Sequence, residues 1–378
     1  MEANEKYTVV GLFTGAGGLD LGFEYSGFRH LECVETDPHC CRTLRFNRPN
    51  WSVQELDVHQ YQPDLQGDVD VLVAGFPCQG FSLGGVRDAN DPRNQLYLEA
   101  VRIAQMLRPR VVVLENVLNL RRIYFDGHSE SAAETIAESM RAIGYHVYYD
   151  VLTACDYGAP QTRRRFIFVC FRDSPPPGYR LLEPQGAIAT IRPFLLELGQ
   201  NDAIDLSNHH PSWGFKSAVH IETGKPYDVS ELAVPVRLSR TGSDGNPLRS
   251  FDQPFPAIDT ATIWGWAKGN VVAGRLPKDR INGKHIRNPD ATITLWRVSA
   301  SHLRAFTHRE YARLQTFPDN WTFLGSNKRD VHKQIGNAVP VSMAQAIAEN
   351  VRRALQAQDE ERSFIARANL PPKQLQLI

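Results

Sequence analysis

Val69–Ser82 reads VDVLVAGFPCQGFS. Its first half is a short, β-branched apolar run stopped by a glycine, the pattern of a strand buried on both faces. Such strands belong to parallel sheets covered by helices, so the run predicts an α/β fold. The second half leaves the strand through Gly75, Phe76 and Pro77 and then sets down one cysteine, Cys78. A plain loop needs glycine or proline but has no use for a thiol. Cys78 is either buried filler, the commoner fate of a lone cysteine, or a nucleophile.

The pattern extends in both directions. YTVVGLF (7–13) runs into a glycine turn, and LECVET (31–36) precedes PHCCRTLRFN. In QLYLEAVRIAQML (95–107), Leu96, Ala100, Ile103 and Leu107 recur at helical spacing until Pro109 ends the pattern. RVVVLENV (110–117) reads as another buried strand and SAAETIAESMRAIG (131–144) as a helix closed by Gly144. RRFIFVCF (164–171) is apolar on both faces and so central in a sheet. This βαβα order predicts a mainly parallel sheet with helices on both sides. SPPPG (174–178) then breaks the chain, and helical patterning resumes only at THREYARLQTF (307–317) and VSMAQAIAENVRRAL (341–355). The expected organisation is a large domain, 1–172, completed by 331–360. A smaller, mostly irregular or β domain spans 173–330, and 361–378 form a loosely ordered tail.

The chain has 378 residues, 42% hydrophobic and 22% charged, ordinary for a globular protein with a substantial core. No run approaches the roughly 18 consecutive apolar residues of a membrane span. The polar, acidic start does not read as a secretory signal. The six cysteines lack C-x-x-C spacing, so neither a disulfide framework nor a metal site is expected. A reducing, cytoplasmic setting is. The net charge is zero but unevenly placed: residues 1–70 carry excess acid and residues 268–313 excess base. The basic lobe suits a polyanion, and an uneven solvated surface suits the numbers equally.

In an open parallel sheet, ligands bind beyond the carboxyl ends of the strands. The first strand ends in FTGAGGLDLG, whose Gly15, Gly17 and Gly18 allow a tight turn and close ligand approach at a helix N-terminus. The dinucleotide fingerprint is not met, because Asp20 stands where its third glycine should be. Glu35 ends the second strand about twenty residues on, where a carboxylate bonds ribose hydroxyls; a helix N-terminal acid is the bland alternative. Asp57 could receive an adenine amino group. The fourth and fifth strands deliver Cys78 and the pair Glu115-Asn116. In QTRRRF (161–166), strand alternation places Gln161, Arg163 and Arg165 on one face, a surface for a planar polar ligand or phosphates.

Taken together, these segments resemble the cytosine-5 DNA methyltransferases, which use S-adenosylmethionine. GLFTGAGGLDLGF, ECVETDPHCCRTLRFN, GFPCQGFSLGG, VVVLENV, DYGAPQTRRRFIFVC, REYARLQTFPDNW and KQIGNAVPVSMAQAIAENV follow the family's motif order over most of the chain. The resemblance implies a Rossmann-like methyltransferase domain plus a smaller target-recognition domain. It implies that Phe13, Gly15, Gly17, Gly18, Leu19, Glu35, Asp57, Pro77, Asn337 and Ala338 line the cofactor site. Cys78, Glu115, Asn116, Gln161, Arg163 and Arg165 would serve the target base. The methyl donor would leave as S-adenosylhomocysteine, with no metal involved.

The implied chemistry answers the question of the thiol. Carbon 5 of cytosine is a poor nucleophile, and attack by Cys78 at carbon 6 activates it. A stacked base cannot reach such a loop, so it must be flipped out of duplex DNA. The compact size resembles bacterial or phage restriction-modification enzymes, implying action on double-stranded DNA at the nucleoid and pairing with a restriction endonuclease; one enzyme acting on one flipped base points to a monomer. Two other readings stand beside this one. A tRNA-modifying relative would carry a Cys-Phe-Thr signature, which is absent, and a non-catalytic DNA-binding relative would have lost Cys78 or Glu115.

Overall fold

The computed structural model describes residues 7–65, 67–77, 95–125, 129–184, 186–201, 203–211, 223–237, 249–260, 264–275, 296–299 and 302–368. The chain forms two compact units, Met1–Tyr157 with Arg164–Gly186 and Ala338–Ile378, and Gly158–Arg163 with Ala187–Asn337. The return to the first unit begins at Ala338 and not at 331.

The first unit holds a seven-stranded sheet in the order β3-β2-β1-β4-β5-β7-β6. Its strands are β1 (Tyr7–Leu12), β2 (Phe28–Glu35), β3 (Val53–Glu55), β4 (Val71–Ala74), β5 (Val111–Val117), β6 (His146–Thr153) and β7 (Arg164–Phe171). The five strands from β3 to β5 pair in parallel, whereas β7 runs antiparallel to both β5 and β6. Antiparallel neighbours need no crossover helix, which is why β7 can follow β6 closely in sequence. β4 is buried along its whole length and β5 up to Val117, as their continuous apolar runs require. The edge strand β6 has no such signature: most of its residues are exposed or half-buried, and its backbone pairing with β7 holds it in place.

Local chemistry sets the helix ends. α1 (Gly18–Tyr25) follows the glycine turn, and α2 (Pro38–Asn47) is capped by Asp37, whose carboxylate accepts the His39 N–H at 2.9 Å. α3 (Leu96–Leu107) stops before Pro109, and α4 (Ala132–Ala142) starts at a Ser131 cap. α8 (Val341–Ala368) packs on α1, where a Cβ on Gly22 would stand 2.5 Å from the Ala344 side chain. Its far end holds the base of the sheet, with Asp359 accepting from Tyr7 at 2.8 Å and from Arg110 at 2.7 Å. α8 continues through 361–368, which corrects the expectation of a loose tail there: the segment has good helix formers and no breaker before Pro371.

In the second unit, β8 (Thr223–Arg237) lies along one side of β9 (Trp264–Arg275), and β10 (Trp296–Ser299) and β11 (His302–Ala305) along the other, all antiparallel. α5 (Arg192–Gln200), α6 (His308–Leu314) and α7 (Lys328–Asn337) complete it. Its interior is aromatic, built on Phe255, Trp264, Trp266, Phe306 and Tyr311, and also ionic. Arg304 and Glu310 are both sealed from solvent and bonded at 2.8 and 2.9 Å. Glu310 also accepts the Trp266 indole N–H at 2.7 Å and closes a capping box with Thr307.

Candidate active site

The parallel strands β1, β2, β4 and β5 end on the same edge of the sheet, and antiparallel β7 starts there, Arg165 lying opposite Val117. At the end of β1 the backbone turns sharply: Phe13, Gly15 and Gly17 all have positive φ, of 55°, 56° and 85°. Phe13 has no glycine licence for that region, and such strain gathers at ligand sites. Gly18 serves packing, since a Cβ on it would stand 2.3 Å from the Val339 carbonyl oxygen. The segment after Ala338 therefore lies against the turn, and Leu19 and Ala338 are both buried. Asn337 belongs to the second unit as the last residue of α7.

Glu35 clasps the turn. Its Oε2 accepts the Gly15 N–H at 2.6 Å, and Oε1 accepts those of Thr36 and Asp37 at 2.8 and 2.7 Å. A carboxylate has about four acceptor positions, so roughly one remains, on Oε2. Burial raises the Glu35 pKa above the usual carboxylate value, and the three N–H donors draw it back. Asp57 is exposed and caps a short 3-10 turn, bonded to the backbone and ring of His59 at 3.0 and 2.6 Å, an arrangement that lowers its pKa.

Cys78 lies outside the described residues, as does the rest of 78–94. The chain that leads to it is tied down. Asn116 donates from Nδ2 to the Phe76 carbonyl at 2.9 Å, while its Oδ1 accepts the Val117 N–H at 2.7 Å. The Phe76 ring stands edge-on to Phe13, with centroids 6.5 Å apart. A Cβ on Gly75 would stand 3.3 Å from Glu115 Oε2, so glycine keeps the strand exit clear beside that carboxylate. Pro77, half-buried, is the last described residue before the cysteine.

Glu115 pairs with Arg165, Nε to Oε1 at 2.7 Å, their side chains 11% and 15% exposed. Burial pulls Arg165 below its ordinary pKa and the Glu115 charge pulls it back. The two bracket the end of β5 and β7 with an acceptor and a donor, partly open to solvent. Gln161 and Arg163 fall in the second unit, where both bond Ile258, Gln161 Oε1 accepting its N–H at 3.3 Å. β7 begins only at Arg164, and Gln161 forms an isolated parallel bridge with Phe255. Gln161 donates to the Leu314 carbonyl at 2.7 Å and to Gln315 at 2.8 Å. Arg163 donates to the carbonyls of Ile258, Gly336 and Asn337 at 2.8, 3.0 and 3.3 Å, closing the C-terminal end of α7. What sequence reasoning missed at this edge is backbone: the carbonyls of Phe76 and Val339 and the N–H groups of Thr36 and Asp37, none of which has a residue signature.

Residues 7–353 match the C-5 cytosine-specific DNA methylase family. The type II methyltransferase M1.HphI of Haemophilus parahaemolyticus is 33% identical over 91% of this chain and 86% of its own. M.PspPI of a Psychrobacter strain is 32% identical over 94% and 82%. Among solved structures, an Escherichia coli protein described as a prophage-encoded DNA modification methyltransferase superposes with a TM-score of 0.60 at 22% identity, covering 93% of this chain and all of that one. DNMT2 of Spodoptera frugiperda gives 0.55 at 15% identity over 92% of this chain and 100% of its own. The mainly parallel sheet is thus the frame of a DNA (cytosine-5-)-methyltransferase, and the chain belongs to the C-5 cytosine-specific DNA methylase family.

Proposed function

We propose that Cys78 is the nucleophile of this enzyme and that Glu115 and Arg165 hold the cytosine it attacks. The observation that carries this is the bond from Asn116 to the Phe76 carbonyl: it fixes the approach to Cys78 against the strand that bears Glu115. The Cys78 thiolate adds to carbon 6 of a flipped-out cytosine, forming a C–S bond as the ring electrons move towards carbon 5 and nitrogen 3. Glu115 hydrogen-bonds or protonates nitrogen 3, and Arg165, held by Glu115, receives the exocyclic oxygen. After carbon 5 is methylated its proton leaves, the C=C bond re-forms and the Cys78 thiolate is expelled. Gln161 and Arg163, assigned to the base by resemblance, act in this reading by fixing the segments around them.

The residues at the edge fit S-adenosylmethionine. The α1 N-terminus, Phe13, Gly15, Gly17 and Leu19 form one wall, Ala338 and Pro77 would close it, and the remaining acceptor position of Glu35 suits one ribose hydroxyl. Asp57 and Asn337 complete the proposed set. When bound, this group supplies an electrophilic methyl on a sulfonium and leaves as S-adenosylhomocysteine.

The second unit would read the DNA word. The enzyme would act as a cytoplasmic monomer at the nucleoid, beside an endonuclease of the same specificity. Among the described residues no helix is long and apolar enough to cross a membrane. Bisulfite sequencing of DNA from a methylation-free host that expresses the chain tests the proposal. Protected cytosines in one short word, absent with Cys78→Ser, are expected. No protection with well-folded wild-type protein would refute it.

A further inference from the structure

Behind the glycine turn, three side chains that the proposed reaction does not use meet inside the first unit. Asp20 comes from α1, and His30 and Cys33 from β2; one donor atom of each lies within 4.8 Å of the others. Asp20 Oδ1 is 3.4 Å from His30 Nε2 and 3.9 Å from Cys33 Sγ. Two residues three apart on a regular strand would face opposite sides of the sheet. A bulge changes that here. His30 lies opposite Val9 and Glu32 opposite Val10, so Leu31 is the extra residue and Cys33 falls opposite Gly11. Val9 and Gly11 share a face of β1, and their partners His30 and Cys33 therefore share it too. Gly11 leaves room for the cluster, because a Cβ there would stand 2.0 Å from Asp20 Oδ1 and 3.0 Å from Thr14 Oγ1.

Hydrogen bonding does not explain His30. Neither ring nitrogen has a hydrogen-bond partner, although the side chain is wholly shielded from solvent. The ring instead stacks on Trp51, with centroids 4.1 Å apart. A buried imidazole with both nitrogens unbonded, facing a carboxylate and a thiol, has the form of a ligand set.

We propose that Asp20, His30 and Cys33 bind a thiophilic divalent cation, of which zinc fits best, tying α1 to β2 beneath the glycine turn. Imidazole, thiolate and carboxylate are the donors zinc takes, whereas magnesium and calcium prefer oxygen alone. Zinc bonds of about 2.0–2.3 Å at tetrahedral angles separate ligand atoms by roughly 3.3–3.7 Å, close to the spacings found. On binding, the Cys33 S–H bond is replaced by an S–metal bond and its proton passes to solvent. The thiolate and the Asp20 carboxylate then cancel the two charges of the ion, so the buried group is neutral. Thr14 Oγ1, buried over the same point of β1, is at hand for the fourth position. The cysteine spacing, which predicted no metal, conceals this set because the bulge and α1 create it.

Cobalt titration of the full chain, first stripped with a chelator, tests the site, because a cobalt–thiolate bond gives a near-ultraviolet charge-transfer band. One cobalt per chain is expected, displaced by one equivalent of zinc. The band should vanish in Cys33→Ala. In His30→Gln, cobalt affinity should fall at least about tenfold, and that variant carries the comparison should Cys33→Ala not fold. Zinc should raise the melting temperature of the wild type alone. No band at one equivalent, or unchanged affinity in His30→Gln, overturns the proposal. A band kept in Cys33→Ala does so as well, since the thiolate would then belong to another cysteine.

Discussion

At the strand ends of the first unit, Arg165 meets a single carboxylate and stays partly open, whereas in the second unit Arg163, Arg304 and Arg309 are sealed and bonded to carbonyls or to Glu310. Similar side chains do different work. A guanidinium whose donors are taken up by protein carbonyls fixes a fold. One that shares a solvent-reaching edge with a carboxylate can still meet a ligand. In the proposed reading catalysis falls on the Arg165 side and scaffolding on the Arg163 side, although the two residues are near neighbours in sequence.

The largest effects should fall on the open side. Glu115→Gln should lower turnover by about 10²–10⁴-fold, the span of general acid–base contributions, with circular dichroism still native. A loss of folded protein in place of lost rate would break the comparison. On the sealed side, Glu310→Gln leaves Arg304 buried without its counter-charge and should cost about 3–5 kcal/mol in denaturant unfolding. The paired test is Arg163→Lys against Arg165→Lys. Lysine cannot reproduce the three carbonyl bonds of Arg163, so about 1–3 kcal/mol of stability should go, whereas Arg165→Lys should keep its melting temperature and lose turnover. Equal effects of the two on either quantity would erase the distinction.

A further expected effect is a pH dependence of the second unit. Burial, with His332 and Lys328 nearby, lowers His308 from 6.5 to about 4. Between those values the unfolded chain binds more protons than the folded one, so stability rises with pH. It is fully present above about 6.5 and is lost as pH falls through about 4. His308→Gln should flatten this slope in melting experiments run across that range.

Much of the frame was legible. β4 and β5 announce themselves as unbroken apolar runs because both faces are covered, and Glu35 is found by its place after a glycine turn. β6 was not legible, since an edge strand is held by backbone pairing that leaves weak side-chain periodicity. The partners of Gln161 and Arg163 were not legible, since they are backbone carbonyls of Leu314, Ile258, Gly336 and Asn337, far away in sequence. Asp20, His30 and Cys33 were hidden by the bulge at Leu31, which no spacing rule anticipates.

The central claim is that Cys78 bonds to the base. A duplex carrying the methylated word with 5-fluorocytosine at the target position tests it most directly, because fluorine cannot leave carbon 5 as the proton does. With the methyl donor present, intact-mass measurement should show one protein joined to one DNA strand, with peptide mapping placing the bond on Cys78 and Cys78→Ser showing none. A bond at another residue, or none under conditions where the unmodified duplex is methylated, would contradict the account.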